Sequence, residues 1–289
     1  MSEKLKTILS ILIILLILPY IITYALQGNR LFDIEGDKSQ ESIGDEEQTE
    51  VLIGILASQI SMDAPTEAIR AQAVLVRTEN ARRQITGEQQ EKSLSMEELA
   101  ALWGSQKLQT NYEIAKAAVT DTEGEVLTYG QKPIYTAFHK VSAGSTRAVE
   151  QLNGEKTPYL MSVVCGRDIT SQDYLTVRFF SKEEFDEALG LTSDADLTDM
   201  RIDADEAGYV KTVQINEKNF TGDELRERLE LPSPCFYMKE IDEKIRLVVK
   251  GKGHGIGMSQ YAACEQAKEG ATYEDILKYF FPGTTLEKL

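Results

Sequence analysis

Histidine is almost missing from this chain, with two in 289 residues; cysteine occurs three times and tryptophan once. Such scarcity argues against a densely ligated metal centre. Cys165, Cys235 and Cys264 lie far apart with no C-x-x-C spacing, so a zinc site would need the fold to gather them. An odd count outside the cytoplasm leaves at least one thiol free or shared between chains, and isolated buried cysteines are the expected arrangement. Positive charge is also short: 31 Lys and Arg face 47 Asp and Glu, a formal net charge of −16. That balance excludes a broad basic face for nucleic acid. No internal repeat is visible. What is present is 42% hydrophobic residues, enough for a sizeable core in one large domain or two small ones.

One long apolar run exists. Residues 7–26 read TILSILIILLILPYIITYAL, without a charge. About 20 such residues span a bilayer as a helix. A signal peptide would have a shorter apolar core and a small-residue cleavage site, whereas Gln27-Gly28-Asn29-Arg30 follows here. The run is therefore expected to be an uncleaved transmembrane helix. Lys4 and Lys6 in the 1–6 tail favour a cytoplasmic N-terminus, which puts a single-pass protein in the cell membrane with its bulk extracytoplasmic. Residues 27–50 are acidic and poor in apolar side chains, the composition of a disordered linker. A domain over 51–289 remains.

Within it, residues 51–62 are apolar. Asp63 or Thr66 is placed to cap a helix from about Glu67 to Arg83, with Ile69, Ala73 and Val76 facing inward and Gly87 as its stop. Short helices are expected at 96–101 and 111–119. Residues 125–129, 133–138, 174–180, 209–215 and 245–250 read as strands, with helices at 181–189 and 221–229 between them. A helix over 258–268, with Gly270 just beyond it, and another over 272–279 close the domain. The pattern is an α+β domain: a helical N-terminal part and a mixed sheet.

The last strand feeds Lys252-Gly253-His254-Gly255-Ile256-Gly257-Met258-Ser259-Gln260-Tyr261. Glycines on alternate residues describe a shaped loop, because glycine accepts positive φ and close approach. A strand-to-helix turn carrying an incidental histidine has the same look. The other histidine, His139, precedes the hydroxyl-rich stretch Ser142-Ala143-Gly144-Ser145-Thr146. Both histidines in shaped loops point to a shared cleft.

Three blocks together resemble the stage II sporulation protein D family, grouped with the amidase enhancers (LytB). The first is Gly54-Ile55-Leu56-Ala57-Ser58-Gln59 with Glu67-Ala68-Ile69-Arg70-Ala71-Gln72-Ala73. The second is Ala137-Phe138-His139, Ser142 to Thr146 and Pro158-Tyr159-Leu160. The third is the glycine–histidine motif, continuing to Phe281-Pro282-Gly283-Thr284. The resemblance implies a peptidoglycan lytic transglycosylase acting on glycan strands during engulfment. It would work beside other membrane-anchored engulfment or wall-hydrolase proteins, without a cofactor.

Such chemistry needs a carboxyl to protonate the leaving oxygen. In the family this glutamate sits in Gly-Val-Val-x-x-Glu-Met before the long helix. Here the expected acid is Gln59, whose amide keeps the shape and hydrogen bonding of a carboxyl but supplies no acidic proton. Glu67 is the fallback acid, unless it serves only the helix dipole. His139, Ser145, Thr146 and His254 are expected to meet sugar groups. Arg77 would pair with an acid near the groove, and Ser259 and Gln260 would aim into it from a helix start. The family's zinc ligands are not carried over, because no cysteine lies between His139 and Thr146. The alternative is a non-catalytic glycan-binding or amidase-activating module.

Overall fold

A computed structural model describes residues 38–154, 156–191 and 197–289. The expected transmembrane helix at 7–26 lies outside them. Among the described residues no helix is long and apolar enough to cross a membrane. The chain divides into two compact units, Met1–Gln48 and Thr49–Leu289. Among the described residues the second unit holds every strand and every helix, apart from the start of the first helix.

That helix, α1, runs Lys38–Gln59. Residues 38–50 are therefore helical, not the structureless linker their acidity suggested. The stretch has no proline, and its Glu and Gln are good helix formers, continuous with the apolar turn that follows. Helix α2 (Thr66–Thr86) starts after Pro65 without a side-chain cap, so neither Asp63 nor Thr66 takes that role. Gly87 ends it in the left-handed conformation, as expected. The two short helices expected next are one stretch, α3 (Met96–Asp121), broken locally at Gly104.

Strands β1 (Glu125–Tyr129), β2 (Lys132–Pro133) and β3 (Phe138–His139) follow, then the single turn α4 (Glu150–Asn153). Next come β4 (Leu175–Ser181), α5 (Lys182–Leu189), β5 (Arg201–Ala204), β6 (Val210–Ile215), β7 (Lys218–Thr221) and α6 (Gly222–Arg228). The chain closes with β8 (Phe236–Ile241), β9 (Lys244–Lys250), β10 (Met258–Ser259), α7 (Gln260–Lys268), α8 (Tyr273–Phe280) and β11 (Thr285–Lys288). Capping boxes start α3, α5, α6 and α8, each pairing a Ser or Thr with an acid three residues on.

The domain is α+β, but among the described residues the expected mixed sheet is four small ones. Their orders are β11-β1-β2, β10-β3, β4-β9-β8 and β5-β6-β7. Among the described residues only the β10–β3 strand pair is parallel. The strands are short and mostly joined as hairpins, and the glycine loop and helices separate the groups.

Two apolar cores form. One gathers Leu52, Ile53 and Leu56 of α1, Ile69 and Val74 of α2, Met258, and Ile276 and Phe280 of α8. The other packs Phe185 of α5, Val213 of β6, Leu225 of α6 and the inward row Ile245, Leu247 and Val249 of β9. That row follows the two-residue period of a strand buried on one face.

Candidate functional site

A cleft of about 580 Å³ opens where α1 ends. This is the size range of small-ligand sites. Its floor is Gln59 and Gln260; its walls carry Trp103 and Asn111 of α3, Lys140 after β3, and Tyr261 of α7.

The floor is a ladder of side-chain amides. Gln72 Nε2 donates to Gln59 Oε1 (2.8 Å). Gln59 Nε2 donates to Glu91 Oε2 (2.7 Å). Gln260 Nε2 donates to the Gln59 carbonyl (2.8 Å) and to Gln72 Oε1 (3.2 Å). Both ends of the Gln59 amide are thus committed. Glu91 is held in turn by Arg83 (3.1 Å), which also pairs with the buried Glu79 (2.8 Å). Burial pushes the Glu79 carboxyl up, but Arg82 and Arg83 outweigh it and hold its pKa below the usual range.

Gly54 makes this arrangement possible. The chain after α2 crosses α1 so closely there that a Cβ would overlap Ser93 and Leu94. Ser93 Oγ donates to the Val51 carbonyl (3.0 Å), pinning the crossing that brings Glu91 to Gln59.

The glycine loop shapes the other side. Gly253, Gly255 and Gly257 all have positive φ, at 114°, 85° and 70°. A Cβ at Gly255 would overlap the Tyr209 ring, and one at Gly257 the Ala137 carbonyl. The resulting close approach lets β10 pair with β3, Ser259 beside His139. The two histidine rings then stand 5.9 Å apart. His139 Nδ1 lies 3.0 Å from the Ile256 carbonyl and so carries the proton, while His254 Nδ1 accepts from Ile256 N–H (3.0 Å). Burial, then the neighbouring His254, drives the His139 pKa down to about 3; burial also lowers that of His254. Both rings are neutral at ordinary pH.

Of the residues singled out from sequence, Gln59 and Gln260 meet in the cleft. Ser259 lies just beneath, buried, its Oγ donating to Asp168 Oδ2 (2.8 Å) and accepting from Ala262 N–H (3.3 Å). Glu67 sits elsewhere, binding Arg70 (2.5 Å) and the Tyr273 N–H that begins α8 (2.8 Å). Arg77, expected at the groove, is buried against the carbonyls of Thr122 and Val119 (both 2.6 Å), where it knits the end of α3. Thr146 is buried on Met161 and Val163, and Tyr209 Oη donates to the Ser145 carbonyl (3.2 Å). His139 and His254 order the loop and do not line the cleft.

Sequence reasoning missed Glu91, Asp168 and the α3 wall. Lys107 and Asn111 fall at i, i+4 after the break at Gly104, and Trp103, the sole tryptophan, stands just before it; that tryptophan was an available signal. Asp168 was not findable by spacing. Its carboxylate accepts from Ser142 N–H (2.6 Å) as well as Ser259, and burial raises its pKa despite these bonds. The three cysteines are free, and burial pushes Cys165 up to about 12 and Cys235 and Cys264 up to about 11, the setting of unreactive thiols.

The chain that builds this cleft is similar to known proteins. The family described as stage II sporulation protein matches residues 36–129, the span that contributes Gln59, Gln72, Glu91 and the α3 wall. Stage II sporulation protein D of Bacillus subtilis (strain 168) is 34% identical over 258 residues, 83% of this chain and 74% of its own. The protein of the same name from Bacillus amyloliquefaciens is 35% identical over 254 residues, with the same shares. The amidase enhancer of Bacillus subtilis (strain 168) is 26% identical over 293 residues, 81% of this chain and 40% of the relative. With a third of positions shared along four-fifths of the chain, this protein belongs to the stage II sporulation protein D family.

Proposed function

We propose that this chain is a sporulation cell-wall protein, anchored by residues 7–26, that binds peptidoglycan glycan strands in its cleft without cutting them. The observation that carries this reading is the Gln59 amide, locked between Gln72 and Glu91 where a proton donor is required. Support for glycan comes from the walls: Trp103 and Tyr261 offer ring faces for sugars, with Asn111, Lys140 and Gln260 as hydrogen-bonding groups around them.

No other carboxyl in the cleft suits the acid role. Asp63 and Asp173 line it, but each is exposed and ion-paired, to Lys107 (3.2 Å) and Lys252 (3.1 Å). A protonated carboxyl is favoured by the opposite setting, burial away from cations. Glu67 is consumed by Arg70 and α8.

Purified full chain incubated with peptide-free glycan should bind it and yield no anhydro-muramyl ends. Wild-type turnover sinks the non-catalytic reading. A second reading keeps the transglycosylase: Glu91 lies one hydrogen bond beyond Gln59 and could feed it a proton path. Turnover by wild type that is abolished in Glu91→Gln selects that reading.

A further inference from the structure

The outward face of the β4-β9-β8 sheet plays no part in the cleft. Its cross-strand rows are Leu175–Lys250, then Val177–Val248–Tyr237, then Phe179–Arg246–Lys239. Leu175, Val177, Phe179 and Tyr237 are 54%, 47%, 58% and 56% exposed. Scattered exposed apolar residues are ordinary, but a contiguous band is not. The polar members of these rows are all cationic. Among the described residues Arg246, Lys239 and Lys250 make no ion pair, and Arg246 Nε is buried without a hydrogen-bond partner. A cationic, apolar face on a chain of net charge −16 runs against the rest of its surface.

Among the described residues strand β4 also lies at the sheet's edge, with β9 on one side only. Alternate backbone N–H and C=O groups along it point away from β9. Free edges are normally blunted by bulges, proline or charge. The edge strand β5 carries a register shift at Asp203/Ala204 and alternates charged residues. Strand β4 has seven residues, LTVRFFS, in unbroken register, with one charge and no proline. Left bare, such an edge pairs with whatever extended chain it meets.

We propose that this face docks an extended segment of another protein that adds as a fourth strand beside β4, with apolar and acidic side chains in turn on its outward face. Its backbone would pair with the open edge. Its outward apolar side chains would lie on Val177 and Phe179, and carboxylates on that same face would reach across β4 towards Arg246 and Lys250 of β9. A protein strand fits better than a lipid surface, because the apolar row lies on the strand whose backbone groups are open.

The test uses the full chain and a short fluorescent peptide with Val, Glu, Phe and Glu at every second residue and Thr between them, so that one strand face carries both kinds of side chain. The peptide should bind at least about tenfold more tightly than its Lys-for-Glu counterpart. N-methylating the peptide's alternate amides should cost about tenfold or more by removing strand pairing. Phe179→Ser and Arg246→Gln should each weaken binding roughly fivefold to tenfold. Both side chains lie on the outward face, so the second core is left intact. Equal binding of the Glu and Lys peptides, or indifference to N-methylation, overturns the proposal. So does a concentration-dependent dimer that Phe179→Ser dissolves, which makes a second copy the occupant. Binding to phosphatidylglycerol vesicles that falls with Phe179→Ser overturns it in favour of a membrane.

Discussion

At the scale of the residue, the proposed function turns on Gln59. Gln59→Glu would place a carboxyl where Nε2 now donates to Glu91 at 2.7 Å. Two carboxylates at that distance cannot both ionise, so the pair would hold one proton to a raised pKa. The variant should gain anhydro-muramyl product, roughly 10²-fold or more over wild type, measured by chromatography of digested glycan. Its stability should fall as pH rises through the raised pKa, because the folded state binds that proton more tightly than the unfolded one. His139 works with the opposite sign. Its folded pKa of about 3 lies below the ordinary 6.5, so the neutral ring stabilises the fold above pH 6.5. That contribution drains as pH falls from 6.5 towards 3, at up to about 1.4 kcal/mol per unit. Urea unfolding across this range should show the slope, and His139→Gln should flatten it. Gln59 and Gln260 were readable in advance because both sit in motif blocks. Glu91 and Asp168 were not, because loop crossings and burial bring them in, and neither leaves a local pattern.

At the scale of the element, helices and hairpins were largely legible and their joints were not. Apolar period and turn residues mark α2, β1, β6, β9 and α8 close to where they lie. The acidic start of α1 misled, because composition reports solubility while helix propensity and the attached apolar turn set the backbone. The β8 strand was missed: FYMKEI alternates weakly and becomes a strand by pairing with β9. The glycine loop was recognisable as shaped, but the partners that shape it come from Ala137, His139 and Tyr209. Gly257→Ala should therefore be costly twice, through positive φ and through overlap with the Ala137 carbonyl. A loss of about 2–3 kcal/mol is expected, lowering Tm by roughly 5–10 °C in calorimetry.

At the scale of the whole molecule, Arg147 joins the two cores. It is buried, donates to Asp223 Oδ2 (2.7 Å), lies 3.9 Å from the buried Asp205 and stacks on Tyr209. Its own N–H bonds the Gly255 carbonyl (2.7 Å), tying the second core to the glycine loop. Arg147→Met would leave Asp205 buried without its cation, at a cost of about 3–5 kcal/mol. Calorimetry should then resolve two transitions where wild type shows one. The first core also has a consequence for biosynthesis. Gln260 binds Gln59 across 201 residues, and β11 pairs with β1 through Leu286 and Leu127. Residues 260–288 must therefore emerge before the first core can close. At ordinary synthesis rates that is a wait of roughly 10–40 s after Gln59 is made. By the end of that wait the first core is still open, while every buried residue of the second, gathered between Phe185 and Val249, is already present.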